Sequence, residues 1–211
     1  MLTTNELRWF HPGTLPSDIL VWFQQNCLID QLQPPEVRED VYLYAPGSDF
    51  LGIKLRQGKL EVKWRKAELG IVDFGKLVAG KAETWAKCSC SDSTGEIFQP
   101  ATVLGNAAWV SVRKVLYLQL YRVLPDFSLI PLTNHENINN GCSVEITQLI
   151  VQNSPWWSLA LEANGDDVRL MANLQATVNS VFNTYQSVEL QVANSYAYPH
   201  WLGLIKSPNA Q

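Results

Sequence analysis

Cationic side chains are the most unevenly distributed reactive groups in this sequence. Between Lys54 and Lys66, six basic residues accompany a single Glu. Residues 1–53 carry two basic and seven acidic side chains, residues 54–122 twelve and six, and residues 123–211 two and seven. A cationic module therefore lies inside a chain of net charge −4. Converging cations raise the local concentration of an anionic ligand such as a phosphate ester. The same residues on an outward face are only a solvated surface. Side-chain direction decides between the two, and direction follows from periodicity.

Other site chemistries lack their patterns. Cys27, Cys88, Cys90 and Cys142 do not form the matched pairs of a structural zinc site. Cys88 and Cys90 share a face of an extended strand, too far apart for an easy bridge. Reduced, buried thiols are the expectation. His11, His135 and His200 have no H-x-x-x-H partner, and no Ser lies in G-x-S-x-G. The G-K of "GKLVAGKAE" lacks the spacing of a phosphate loop.

The elements that must position the cations read mainly as strands. Residues 5–10, which hold "ELRWF", read as a short strand. Thr14 is a candidate N-cap for a helix through Leu15, Ile19, Trp22, Phe23 and Cys27. From Asp40 the pattern turns to period two: "DVYLYA", "LGIKLRQ" and "KLEVKWRK", joined by "PGSD" and "QGK" turns. Lys54 and Arg56 share one strand face, and Glu61, Lys63 and Arg65 another. "LGIVDFGKLV" and "GKAETWAKCS" form the next pair, with Lys81, Glu83, Trp85 and Lys87 on one face. Residues 91–107 and 126–141 read as loops. "WVSVRKVLYLQLYRVL" is one or two strands, "CSVEITQLIV" another, and "WWSLALEANG" its hairpin partner. A helix capped by Asp166 or Asp167 presents Met171, Leu174, Val178, Val181, Phe182 and Tyr185 as one stripe. The aromatic tail "NSYAYPHWLGLI" packs on the core. Eight or nine mostly antiparallel strands with two helices give an α+β fold, and such a sheet closes into a barrel or folds into a sandwich. Closure would turn the charged faces into a polar lumen.

The order of these elements resembles the CYTH superfamily, the triphosphate tunnel metalloenzymes. The resemblance rests on "ELRWF", "EDVYLY", "IKLR", "EVKWR", "LYRV", "VEITQL", "LALEANG" and "SYAYPHWL", and covers most of the chain. It implies a closed antiparallel tunnel of eight or nine strands with a few flanking helices. Basic residues from several strands would hold the phosphates: Lys54, Arg56, Lys63 and Arg122, with Arg65, Lys81, Lys87 and Arg8 as further candidates. Glu6, Glu145 and Glu162 would hold a divalent Mg or Mn ion, which neutralises charge developing at the phosphoryl group. The family's first-strand E-x-E-x-K signature is altered here. Glu6 matches, Arg8 replaces a ligand carboxylate, and Phe10 replaces the Lys.

Three functions follow as alternatives. The lumen binds a phosphoanion such as a triphosphate or polyphosphate, with weakened or lost metal-dependent hydrolysis. Alternatively the chain is an active Mg/Mn-dependent triphosphatase, or a barrel that binds an apolar ligand or a protein partner. A hydrophobic fraction of 46% with 17% charged residues is that of a soluble globular chain. No apolar run reaches the ~18 residues of a membrane span. The N-terminus is unlike a secretory signal. A single cytoplasmic domain over residues 1–211 is expected, with a small phosphorylated anion as partner and neither nucleic acid nor membrane.

Overall fold

The computed structural model describes residues 1–27, 34–90, 108–133 and 140–206. Among these residues, nine strands form one antiparallel sheet: β1 (Leu2–Pro12), β2 (Glu36–Leu43), β3 (Leu51–Arg56), β4 (Lys59–Phe74), β5 (Val78–Cys90), β6 (Trp109–Val123), β7 (Leu129–Leu132), β8 (Gly141–Val151) and β9 (Ser154–Asn164). Their order is β2-β3-β4-β5-β1-β9-β8-β6-β7, and a further β2–β6 pairing closes eight of them into a barrel. Strand β7 continues along β6 beyond the point where β2 departs. Three helices among the described residues complete the α+β fold: α1 (Ser17–Asn26), α2 (Leu170–Phe182) and α3 (Tyr198–Lys206).

Local chemistry explains the tight hairpins. Gln57 and Gly58 link β3 to β4 with φ of 49° and 74°, and Gln152 and Asn153 link β8 to β9 with φ of 49° and 64°. Two consecutive positive φ values give a twist that matches the strands, and amide side chains or glycine accept them most readily. Gly80 has a different reason. A Cβ there would lie 2.5 Å from the Trp9 ring.

The barrel sorts its side chains by the period of two. On β1, Leu7 and Trp9 point outward into a large apolar cluster with Ile19, Trp22 and Phe23 of α1 and Leu174, Val178 and Val181 of α2. Glu6, Arg8 and Phe10 point the other way. Inside, one end of the barrel is filled by apolar residues. Phe10, Tyr42, Val110, Val112 and Leu149 pack around Trp201 and Leu202 of α3. Phe10 stacks on both Tyr196 and Trp201, with ring centroids 5.6 and 4.9 Å away. The charged part of the lumen lies beyond this plug.

Several sequence expectations need correction. Thr14 does not cap α1: Pro16 occupies the N-cap, without a side-chain cap bond. Asp166 likewise makes no cap bond; it precedes a 3-10 turn (Asp167–Arg169) that leads into α2. Strand β4 runs unbroken from Lys59 through Phe74, and the turn to β5 falls at residues 75–77, because Gly80 is a close-packed strand residue instead of a turn. "WVSVRKVLYLQLYRVL" is one strand. Part of the expected loop 126–141 is β7, and the aromatic tail is the third helix. The four cysteines are free, with Cys27 and Cys142 buried, but Cys88 is half-buried and Cys90 exposed. The expected loop 91–107 lies outside the described residues. Among those described, no helix is long and apolar enough to cross a membrane.

Candidate functional site

Alternation on six strands delivers the cations. Arg8 (β1), Arg38 (β2), Lys54 and Arg56 (β3), Lys63 (β4), Lys81 and Lys87 (β5) and Lys114 (β6) all line one cavity of about 150 Å³ inside the barrel. That is room for on the order of ten water molecules. Glu6, Glu61, Glu83, Glu145 and Glu162 line it as well. Residues 196–199 close one side of it.

One wall is organised around Asp40, which has no solvent exposure. Arg56 donates two hydrogen bonds to its carboxylate, at 2.9 and 3.0 Å. Lys114 Nζ lies 2.9 Å away and Arg38 Nε 3.4 Å away. Burial alone would raise the Asp40 pKa. Lys114, then the Arg56 hydrogen bonds, instead hold it far below the usual carboxylate range. Lys114 also donates to the Tyr42 and Tyr198 hydroxyls, at 2.5 and 2.8 Å. Beside this group, Glu61 is shared by Lys54 at 2.9 Å, Lys87 at 3.5 Å and Arg56 at 3.9 Å. Crowded cations in a buried place weaken one another's charge. Burial, then Arg56 and Lys114, brings Lys54 down to about 7. Burial brings Lys114 down to about 8.

The opposite wall is built from carboxylates. Register sets Glu6 directly beside Glu83 of β5 and Glu162 of β9. Like charges directly across a ladder are destabilising unless cations intervene. Lys63 contacts Glu6 and lies 3.6 Å from Glu162. Arg65 reaches Glu83 at 2.8 Å. Arg8 reaches Glu145 of β8 at 3.1 Å. Burial would raise the Glu145 pKa, but Arg8 and Lys114 bring it down to about 2. Burial, then the Glu162 charge, raises that of Glu6.

The altered signature now has a physical account. Arg8 stands where the resemblance implies a carboxylate, and it ion-pairs with Glu145 and stacks its guanidinium 4.9 Å from the Tyr198 ring. Phe10 stands where the resemblance implies Lys and seals the barrel end. Among the described residues, no three His, Cys, Asp or Glu side chains gather to hold a metal ion. Glu6 and Glu162 face Lys63, and Glu145 faces Arg8. A divalent Mg or Mn ion does not fit this donor set, because the Lys63 ammonium already stands against both Glu6 and Glu162 and Arg8 holds Glu145.

Two expected phosphate ligands lie elsewhere. Arg122 is exposed and off the cavity lining, because it pairs with Ile130 of β7, past the end of the closed barrel. Arg65 does not line the cavity. It stays in register with Trp85, and its guanidinium is taken up by Glu83, Asp49 and Glu68. Lys59 and Lys66 are exposed. Sequence reasoning missed Arg38, Asp40, Tyr42, Lys114 and Tyr198. For β2 the signal was present: Arg38, Asp40 and Tyr42 alternate on one face. For β6 it was absent, since Arg113 and Lys114 are adjacent and either could have faced inward.

No family model matches the chain, and no curated protein matches it. Among solved structures it is similar to the PH1819 protein of Pyrococcus horikoshii OT3, at 12% identity and a TM-score of 0.42, over 96% of this chain and 98% of that one. It is also similar to a "putative adenylate cyclase" of Bacillus halodurans, at 7% identity and a TM-score of 0.36, over 89% and 96% of the two chains. Neither likeness carries a functional assignment, so function is read from this chain's own residues.

Proposed function

We propose that the barrel lumen binds a small phosphorylated anion, such as a triphosphate or short polyphosphate, without a divalent metal. The observation that supports this reading is the convergence of eight cations from six strands on one cavity, against five lining carboxylates. A polyanion needs donors from several directions, and a barrel supplies them without bending the chain. Arginine and lysine donate charge-assisted hydrogen bonds to phosphate oxygens, and partial exclusion of water strengthens them. The charged lining speaks against an apolar ligand. The carboxylate–cation pairs speak against metal-dependent hydrolysis.

Thermal melting with tripolyphosphate in EDTA tests the proposal. A ligand that binds only the folded state stabilises it by about 2.7 kcal/mol at one hundred times its Kd. The melting temperature is expected to rise saturably in EDTA. Arg56→Ala combined with Lys63→Ala is expected to remove the rise. No shift would overturn the reading. A shift that requires Mg²⁺, accompanied by phosphate release, would replace it with the triphosphatase alternative.

A further inference from the structure

We infer that the ligand of this lumen is zwitterionic: a phosphate or phosphonate carrying an ammonium group, its anionic end on the Asp40 wall and its cationic end between Glu6 and Glu162. This rests on the phosphoanion reading and narrows it. The argument is the uneven matching of charges within one cavity. On one side, Arg38, Lys54, Arg56, Lys87 and Lys114 share two carboxylates, Asp40 and Glu61. Among the described residues, Arg38 also pairs with the half-exposed Glu36, and Lys114 and Lys87 interact at longer range with Glu145 and Glu162. That wall is short of negative charge.

On the other side the shortage is reversed. Glu83 is matched by Arg65 and Glu145 by Arg8. Glu6 and Glu162 are adjacent in register and share the single ammonium of Lys63. Within ion-pair distance two carboxylates thus meet one ammonium, while Lys87 and Arg8 act on Glu162 from farther off. Both walls border the same cavity of about 150 Å³, so one small molecule can reach both. A simple inorganic polyanion would satisfy the first wall and be repelled by the second. A ligand with an ammonium group a few bonds from its phosphate satisfies both.

Calorimetric titration in EDTA with O-phosphoethanolamine and with ethyl phosphate tests this. The two share the phosphate monoester and differ in the ammonium. Phosphoethanolamine is expected to bind at least about tenfold tighter, equivalent to about 1.4 kcal/mol. In Glu162→Gln the ratio of the two affinities is expected to collapse toward one. Glu6→Gln is a second variant with the same expected collapse, should the first fail to fold. Equal binding of the two compounds by the native protein would overturn the zwitterion while leaving the phosphoanion reading intact. An affinity ratio unchanged in both variants would also overturn it. If neither compound binds, and tripolyphosphate gives no thermal shift, the phosphoanion reading falls and this inference falls with it.

Discussion

The Asp40 wall and the Glu6–Glu162 wall use the same few residue types and reach opposite electrostatic states. Around Asp40, three cations converge on one carboxylate that has no solvent exposure. Across the lumen, two neighbouring carboxylates converge on one lysine. Burial depresses the pKa values of Lys54 and Lys114 on the cation-rich wall; on the acidic wall burial, then the Glu162 charge, raises that of Glu6, while Lys63 leads the cations that lower that of Glu162. Each state costs folding free energy, because buried like charges are not fully compensated. A binding site can retain such imbalance because its ligand completes the matching. A purely structural ion network has no such reason.

The largest effect that would break this comparison is at Asp40. Asp40→Asn leaves Arg38, Arg56 and Lys114 facing a neutral amide, and breaking a buried pair in this way costs about 3–5 kcal/mol. Chemical denaturation of the variant is expected to show that loss, and tripolyphosphate to recover part of it. A loss below about 1 kcal/mol would mean that the cations are solvated and the wall is not overloaded. Glu145→Gln is expected to cost less, about 1–3 kcal/mol, because it strands Arg8 alone. The same denaturation measurement ranks the two.

The pH dependence sharpens the contrast. Lys54 and Lys114 titrate at about 7 and about 8 in the folded protein, below the ~10.4 of an unfolded lysine. Between those values the unfolded chain holds more protons, so these two groups make stability rise with pH from about 7 to about 10. Anion affinity runs the other way, because binding needs the charged amines. It is expected to fall by up to about tenfold per pH unit above 8 for each proton required. Stability and affinity that moved in parallel would contradict the assignment. The smallest effects belong outside the lumen. Arg122→Ala and Lys59→Ala are expected to leave anion affinity within about twofold, because surface charges are screened over a Debye length of about 10 Å.

The architecture was legible because its signals are local. Alternation marked the strands, and turn sequences such as Gln57–Gly58 marked hairpins. Alternation grouped Lys54 with Arg56 on β3 and Lys81 with Lys87 on β5, but whether those faces looked inward stayed open until closure placed them on the cavity. The rest depended on facts that no single strand carries. That Arg122 leaves the lumen depends on where β2 departs from β6. That Arg65 is taken up by carboxylates depends on Asp49 and Glu83 from other segments. Asp40 became central only when closure brought β6 and its Lys114 beside β2. Phe10 stood out as a departure from a signature, and its role as a barrel plug required α3, whose helix the aromatic tail did not announce.

Anomalous scattering from crystals grown with tungstate, a heavy oxyanion, tests the central claim most directly. The account places the tungsten peak in the lumen, with its oxygens within hydrogen-bonding reach of Arg56 and Lys114. A lumen without a peak while tungstate decorates the outer surface, or a peak seated against Glu6 and Glu162, would contradict it.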